Sequence, residues 1–104
     1  MAYRLEITEH ADTLLDGLVG YLIFEKKNPD AASHLINGID KLYKRLEENP
    51  YQFPISNNPF LAKREYREAL VSDMNYLIVF EVVNHVVYIL GIFHGLENYP
   101  KKLK

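Results

Sequence analysis

The run YLIVFEVVNHVVYILGIFH, residues 76–94, carries the strongest structural signal in the chain. Two segments rich in β-branched and aromatic residues, 76–83 and 86–94, flank the polar pair Asn84–His85. This pattern predicts a β-hairpin with a two-residue turn of the I′ kind. Neither segment alternates between apolar and polar residues, so we expect both strands to be covered on both faces, in the middle of a sheet. Each segment is far shorter than the ~20 residues that cross a bilayer, so no membrane span is predicted.

The composition predicts one domain with one core, since 48% of the 104 residues are hydrophobic. The formal net charge of −2 argues against a protein that binds nucleic acid through a broad basic surface. The chain contains no cysteine, which excludes disulfides and thiolate metal sites. The amino terminus shows no apolar signal-peptide core, so we expect a cytoplasmic protein.

The amino-terminal half predicts a strand followed by two helices. Residues Tyr3–Ile7 alternate as a half-buried strand near a sheet edge. Thr8 is a good N-cap for a first helix that reaches about Lys27. The core stripe of that helix is Ala11, Leu15, Leu18 and Leu22. Gly17 and Gly20 weaken a helix, and we expect them to mark close packing against a neighbouring helix rather than a hinge.

A second helix is expected to begin at Asn28–Pro29–Asp30 and to end before Pro50. Its apolar face comprises Ala32, Leu35, Ile36, Ile39, Leu42, Tyr43 and Leu46. The short link between the helices predicts an antiparallel helical hairpin that covers one face of the sheet.

The carboxyl-terminal half predicts a loop over residues 49–63, an outer strand over residues 64–71 and then the central hairpin. The element order is therefore β-α-α-β-β-β. We expect a two-layer α+β fold with an antiparallel sheet covered on one face by the helical hairpin.

Several short motifs, in order and at matching separations, resemble the RelE/ParE superfamily of toxins from type II toxin–antitoxin pairs, also called plasmid stabilisation proteins. The motifs are the strand Tyr3–Ile7 with Ala11, Ala31–Ala32, Leu46 with Pro50, Arg64–Arg67, Asn75–Tyr76 followed by Ile78–Val82, and Ile89–Gly95. The resemblance covers nearly the whole chain and implies that the last strand lies inside the sheet, beside the first. It implies a cognate antitoxin that wraps the toxin, and it allows a homodimer or a heterotetramer with that antitoxin.

The superfamily divides by target: RelE-like members cut messenger RNA on the ribosome, whereas ParE-like members poison DNA gyrase. Two positions that commonly carry arginine in RelE-like nucleases hold Leu77 and Leu96 here, and Glu97 follows. The loss of cations that would face a phosphate favours a ParE-like toxin that binds a protein target, without enzymatic activity or a cofactor. Two alternatives stay open: a RelE-like ribosome-dependent endoribonuclease, and a non-toxic relic that keeps the fold and antitoxin binding.

If the chain is a ribonuclease, the candidate catalytic residues are His94, Arg67 and Tyr99, because RNA cleavage needs proton transfer and a cation for the phosphate. Each has a simpler structural explanation: His94 ends a buried strand, Arg67 pairs with a glutamate, and Tyr99 pins the tail. Candidate target-binding cations are Arg64, Arg67, Lys101 and Lys102. The other histidines, His10, His34 and His85, are not spaced as metal ligands, so no metal is assigned.

The first helix carries more apolar residues than one stripe can bury. Leu14, Tyr21, Ile23 and Phe24 lie outside the core stripe. Exposed apolar surface on a small domain usually marks an interface, so these residues are the predicted antitoxin contact. Burial against the second helix and self-association are the alternatives.

Overall fold

The computed structural model describes residues 2–95 and residue 103. The strands are β1 (Arg4–Ile7), β2 (Arg67–Leu70), β3 (Tyr76–Val83) and β4 (Val86–His94), and the helices are α1 (Glu9–Gly20), α2 (Pro29–Glu48) and α3 (Pro59–Ala62). A π-helical segment, Tyr21–Glu25, continues α1, and a 3₁₀ turn, Pro50–Gln52, follows α2. Within the described residues, no helix combines the length and the apolar character needed to span a membrane.

The four strands form one sheet in the order β1-β4-β3-β2, which confirms that the last strand lies beside the first. The expected antiparallel arrangement holds for β2, β3 and β4, but β1 pairs with β4 in parallel, so the sheet is mixed. Parallel neighbours need a long crossover connection. The three helices and two strands between β1 and β4 supply it.

The central hairpin has the predicted two-residue turn, with Val83 paired to Val86. Asn84 has a positive φ of 56°, but His85 is not among the non-glycine residues with positive φ. A type I′ turn needs positive φ at both central residues, so that part of the prediction is wrong. The register shifts between Val79 and Phe80, which pair with Gly91 and Ile89, and Leu90 is the extra residue of a β-bulge.

Helices α1 and α2 cover one face of the sheet, and both begin at the predicted caps. The side chain of Thr8 accepts a hydrogen bond from the Ala11 N–H, and that of Asn28 accepts one from the Ala31 N–H. The main core lies between this helical layer and the sheet, and its largest fully buried members include Phe80, Leu35, Ile39, Leu46, Ile78, Ile89 and Ile92. Ile7 and Ile36, both expected on buried faces, are exposed.

The opposite face of the hairpin carries a second, smaller apolar cluster. It consists of Leu77, Val79 and Phe93, which are buried, with Leu14, Tyr66, Leu90 and Leu103 packed around them in partly buried positions. Successive residues of a strand point to opposite faces, so Leu77 and Val79 lie across the sheet from Ile78 and Phe80 of the main core. Both faces of the hairpin are therefore covered, as the lack of alternation predicted.

The explanation given for the helical glycines is wrong. A Cβ added at Gly17 or Gly20 would meet nothing within 4 Å, so neither glycine marks close packing. Close approaches occur instead at Gly38, where a Cβ would lie 2.6 Å from the Val71 side chain, and at Gly91, which lies against the Phe93 ring.

The 49–63 segment, predicted to be a loop, contains the 3₁₀ turn and α3, each capped by an asparagine side chain. The predicted strand at residues 64–71 begins only at Arg67. The Tyr66 N–H bonds to the Leu61 carbonyl at 3.2 Å and the Glu65 N–H to the Ala62 carbonyl at 2.9 Å, while Glu65 has φ 60°. This is the Schellman pattern, in which one left-handed residue closes a helix.

Candidate functional site

His94 lies at the carboxyl end of β4 and packs against a buried tyrosine. Its ring meets the Tyr76 ring edge to face, with 5.3 Å between centroids and an interplanar angle of 87°. Tyr76 is also its register partner in β3. Beyond it, the Gly95 N–H bonds to the Asn75 carbonyl at 2.8 Å. These contacts position His94 as the end of a buried strand, which was the simpler of its two predicted roles.

Arg67 opens β2 and lies at a cleft next to the segment that follows α2. One Nη of Arg67 donates a hydrogen bond to the Phe53 carbonyl at 2.6 Å. Its guanidinium also stacks on the Tyr51 ring, 4.9 Å from the centroid. Tyr51 in turn meets Tyr3 edge to face, with 6.1 Å between centroids. The guanidinium is thus fixed by two contacts, and most of its five N–H donors remain for an anion.

The structure does not bring His94 and Arg67 together. Arg67 pairs with Phe80, whereas His94 pairs with Tyr76, four residues earlier in β3. Four residues span roughly 13 Å along a strand, and two strand spacings add about 10 Å across the sheet. A phosphate in contact with the His94 ring is therefore beyond the direct reach of the Arg67 guanidinium.

Leu77, one of the two positions that commonly carry arginine in RelE-like nucleases, lies in an apolar environment. Leu77 is buried in the second cluster against Val79 and Phe93. Tyr99, Lys101 and Lys102, together with the Leu96–Glu97 pair, lie outside the described residues. Within the part of the chain that the structure describes, no group of three or more histidine, cysteine or acidic side chains is placed to hold a metal ion.

Arg64, the other predicted target-binding cation, is exposed in the turn after α3. Its guanidinium stacks on the Phe60 ring at 4.5 Å. It does not line the cleft beside Arg67, whose walls are Tyr51, Ile55, Glu65, Arg67 and Val82. The guanidinium groups of Arg64 and Arg67 therefore do not share one binding site.

The predicted antitoxin contact is partly exposed. Phe24 is 75% exposed, Tyr21 47% and Ile23 37%, all within the π-helical segment after α1. In that segment the Lys26 N–H bonds to the Tyr21 carbonyl, five residues back, and the Lys26 ammonium lies 5.7 Å from the Tyr21 ring centroid. Leu14 differs, because it packs against the second cluster. The apolar surface therefore belongs to the π-helical segment rather than to α1.

One buried polar group was not singled out from the sequence. The Tyr43 hydroxyl, on α2, has no hydrogen-bond partner among the described residues. Burial, with smaller contributions from Asp12 and Asp40, raises the pKa of Tyr43 to about 12. The helical period places Tyr43 on the apolar face of α2, and that period alone cannot show that the hydroxyl is buried without a hydrogen-bond partner in the described part of the chain.

Comparison with known proteins gives two findings. Residues 5–99 match the family model for the ParE toxin of the type II toxin–antitoxin system parDE. A solved structure described as a chromosomal ParDE TA system from P. aeruginosa superposes with a TM-score of 0.68 and 21% identity, over 89% of this chain and 96% of that one. At this identity the superposition shows a shared fold. No curated protein matches the chain at a significant level.

Proposed function

Because the chain belongs to the ParE toxin family of type II toxin–antitoxin systems, we propose that it inhibits growth by binding a protein target and that a cognate antitoxin holds it inactive. The resemblance to ParE-like members points to DNA gyrase as that target. Arg64 and Arg67 are the described cations offered to the target, and Lys101 and Lys102 complete the proposed set.

The separation of His94 from Arg67 is the observation that carries the choice of a binding toxin over a nuclease. RNA cleavage needs a proton acceptor and a cation on the same phosphate. Here the His94 ring packs on Tyr76, the nearby family position is the buried Leu77, and Arg67 stacks on Tyr51 at another part of the sheet. The described residues could bring a proton acceptor and a cation to the same phosphate only after a large rearrangement.

The exposed apolar residues of the π-helical segment support the antitoxin contact. Tyr21, Ile23 and Phe24 place aromatic and aliphatic surface in solvent on a small domain, and such surface favours a partner. An amphipathic antitoxin helix could bury these three residues through its own apolar face. Leu14 would contribute only indirectly, by fixing α1 against the second cluster.

A supercoiling assay with purified DNA gyrase tests the target. We expect the chain to inhibit supercoiling, and we expect His94→Ala to leave that inhibition within about twofold. In cells that express the chain without a partner, we expect DNA breaks and the SOS response, with messenger RNA ends unchanged. Codon-linked cuts in messenger RNA that disappear in His94→Ala or Arg67→Ala would establish the ribonuclease alternative. Normal growth at good soluble expression would favour the non-toxic relic.

Co-expression with a cognate antitoxin tests the proposed antitoxin surface. Phe24→Glu should weaken antitoxin binding by at least tenfold and restore growth arrest in the presence of the antitoxin. Leu70→Glu is the matched control, because Leu70 is 68% exposed on β2, well removed from the π-helical segment in sequence. Equal neutralisation of both variants would remove the π-helical segment from the interface.

A further inference from the structure

We propose that the cleft beside Arg67 is a pocket for one acidic side chain of a protein partner. Tyr51, Ile55, Glu65, Arg67 and Val82 line the cleft, and its volume is about 210 Å³. Small-molecule sites usually measure roughly 300–1,000 Å³, so the cleft suits a single side chain better than a cofactor. The inference rests on the proposed function only in taking the partner to be a protein.

Arg67 is already arranged to receive a carboxylate. The Phe53 carbonyl and the Tyr51 ring fix the plane of its guanidinium, so little side-chain freedom remains to be lost on binding. A planar guanidinium can bind both oxygens of a carboxylate through two parallel hydrogen bonds. Among the described residues, no carboxylate forms an ion pair with Arg67. The cation in the cleft is therefore open to an external anion.

The remaining walls fit the aliphatic part of an acidic side chain. Ile55 and Val82 contribute apolar surface, and the exposed Tyr51 ring contributes an aromatic edge. Methylene groups of a glutamate or aspartate could pack there while the carboxylate reaches Arg67. A bare phosphate has no apolar part to use these walls.

The negative charge of Glu65 disfavours a nucleic acid as the ligand of the cleft more than it disfavours a single acidic side chain. Glu65 occupies the left-handed position that closes α3, where glycine is the usual residue, with φ 60°. A glutamate in this conformation carries a conformational cost, and Glu65 is one of the residues that line the cleft. Its charge repels the successive phosphates of a polyanion much more than it repels one carboxylate, and it can accept a hydrogen bond from the backbone N–H of a bound peptide.

An NMR titration of the purified, isotopically labelled chain tests the pocket. The probe is N-acetylglutamic acid N-methylamide, which presents one glutamate side chain, and the neutral glutamine analogue is its control. We expect the Arg67 Nε–H and the Ile55 amide signals to shift and to saturate at millimolar concentrations of the glutamate probe only. Absence of saturation, or equal shifts with the glutamine analogue, would overturn the proposal.

Three variants separate the pocket from general charge effects. Arg67→Gln should abolish saturable binding. Arg64→Gln should retain it, because Arg64 also stacks on an aromatic ring but lies outside the cleft. Glu65→Gln should tighten binding roughly three- to tenfold by removing a like charge, and weaker binding in this variant would contradict the proposed geometry.

Inorganic phosphate and a single-stranded RNA decanucleotide are the competing ligands. If either shifts the same signals at a tenfold lower concentration than the glutamate probe, the cleft binds nucleic acid and the proposal fails. The titration does not depend on toxicity, so a chain that binds the probe but spares gyrase would refute the proposed function and leave the pocket intact.

Discussion

At the scale of single residues, Gly17 and Gly91 have opposite surroundings. Gly17 lies in an open position of α1, so Gly17→Ala should raise the free energy of unfolding by about 1 kcal/mol through helix propensity alone. Gly91 lies against the buried Phe93 ring, so the Cβ of Gly91→Ala has no room. We expect a loss of about 2 kcal/mol there. Urea unfolding measures both, and a loss of stability in Gly17→Ala would show that the helix needs a glycine at this position.

The ionisation of Tyr43 gives a second prediction at the residue scale, on how stability depends on pH. Its pKa is raised to about 12 in the folded chain, against 10.0 ordinarily. Between about pH 10 and pH 12 the unfolded chain therefore loses a proton that the folded chain keeps, so stability falls as the pH rises through this range.

Tyr43→Phe should reduce that alkaline loss of stability and leave stability at pH 7 equal or higher by up to about 1 kcal/mol, because a hydroxyl without a partner is removed. Urea unfolding at pH 7, 10 and 11 measures the effect. An alkaline loss as steep as that of the unmodified chain would mean that another group titrates.

At the scale of elements, Thr8 joins a helix to the sheet. Its hydroxyl accepts from the Ala11 N–H at 3.1 Å and donates to the Ile89 carbonyl at 2.7 Å. Thr8→Ala removes the cap of α1 and a bond to β4 together, so we expect a loss of about 2 kcal/mol.

Asn28→Ala is the comparison for Thr8→Ala, since Asn28 caps α2 through one exposed hydrogen bond. Its expected loss is about 1 kcal/mol. Thr8→Ser keeps both hydrogen bonds and should stay near the unmodified stability. Chemical denaturation followed by circular dichroism measures all three variants, and equal losses in Thr8→Ala and Asn28→Ala would refute the second role of Thr8.

Elements with a strong hydrophobic period or clear caps could be predicted from the sequence, as Thr8, Asn28 and the 76–94 hairpin show. The errors arise where tertiary contacts or local backbone geometry decide. The π-helical segment keeps the apolar character of a helix and differs only in its hydrogen-bond pattern. The start of β2 was misplaced because Glu65 closes α3 in a conformation usually held by glycine. The place of β4 beside β1 followed from the resemblance, but the parallel direction of this pair was not predicted.

At the scale of the whole molecule, the candidate sites combine distant segments. The sequence singled out Arg67, but the cleft also needs Tyr51, Ile55 and Val82 from other elements, and no periodic pattern links these residues. The exposed apolar surface was easier to predict, because Tyr21, Ile23 and Phe24 are close in sequence and exceed what one helical stripe can bury. Leu14, from the same prediction, is partly buried against the second cluster, whose other members lie between residues 66 and 103.

The residue that covers the second cluster from the carboxyl-terminal end leads to a prediction about the stability of the whole fold. Leu103 packs against the cluster of Leu77, Val79 and Phe93, at the far end of the chain from α1. Leu103→Ser should lower the free energy of unfolding by about 1.5 kcal/mol and increase binding of a hydrophobic dye, because part of the cluster becomes exposed. Leu70→Ser, at an exposed leucine, should change stability by less than about 0.5 kcal/mol. Equal effects in the two variants would mean that Leu103 contributes no cover in solution, and the sheet face behind Leu77 would then be open to a partner.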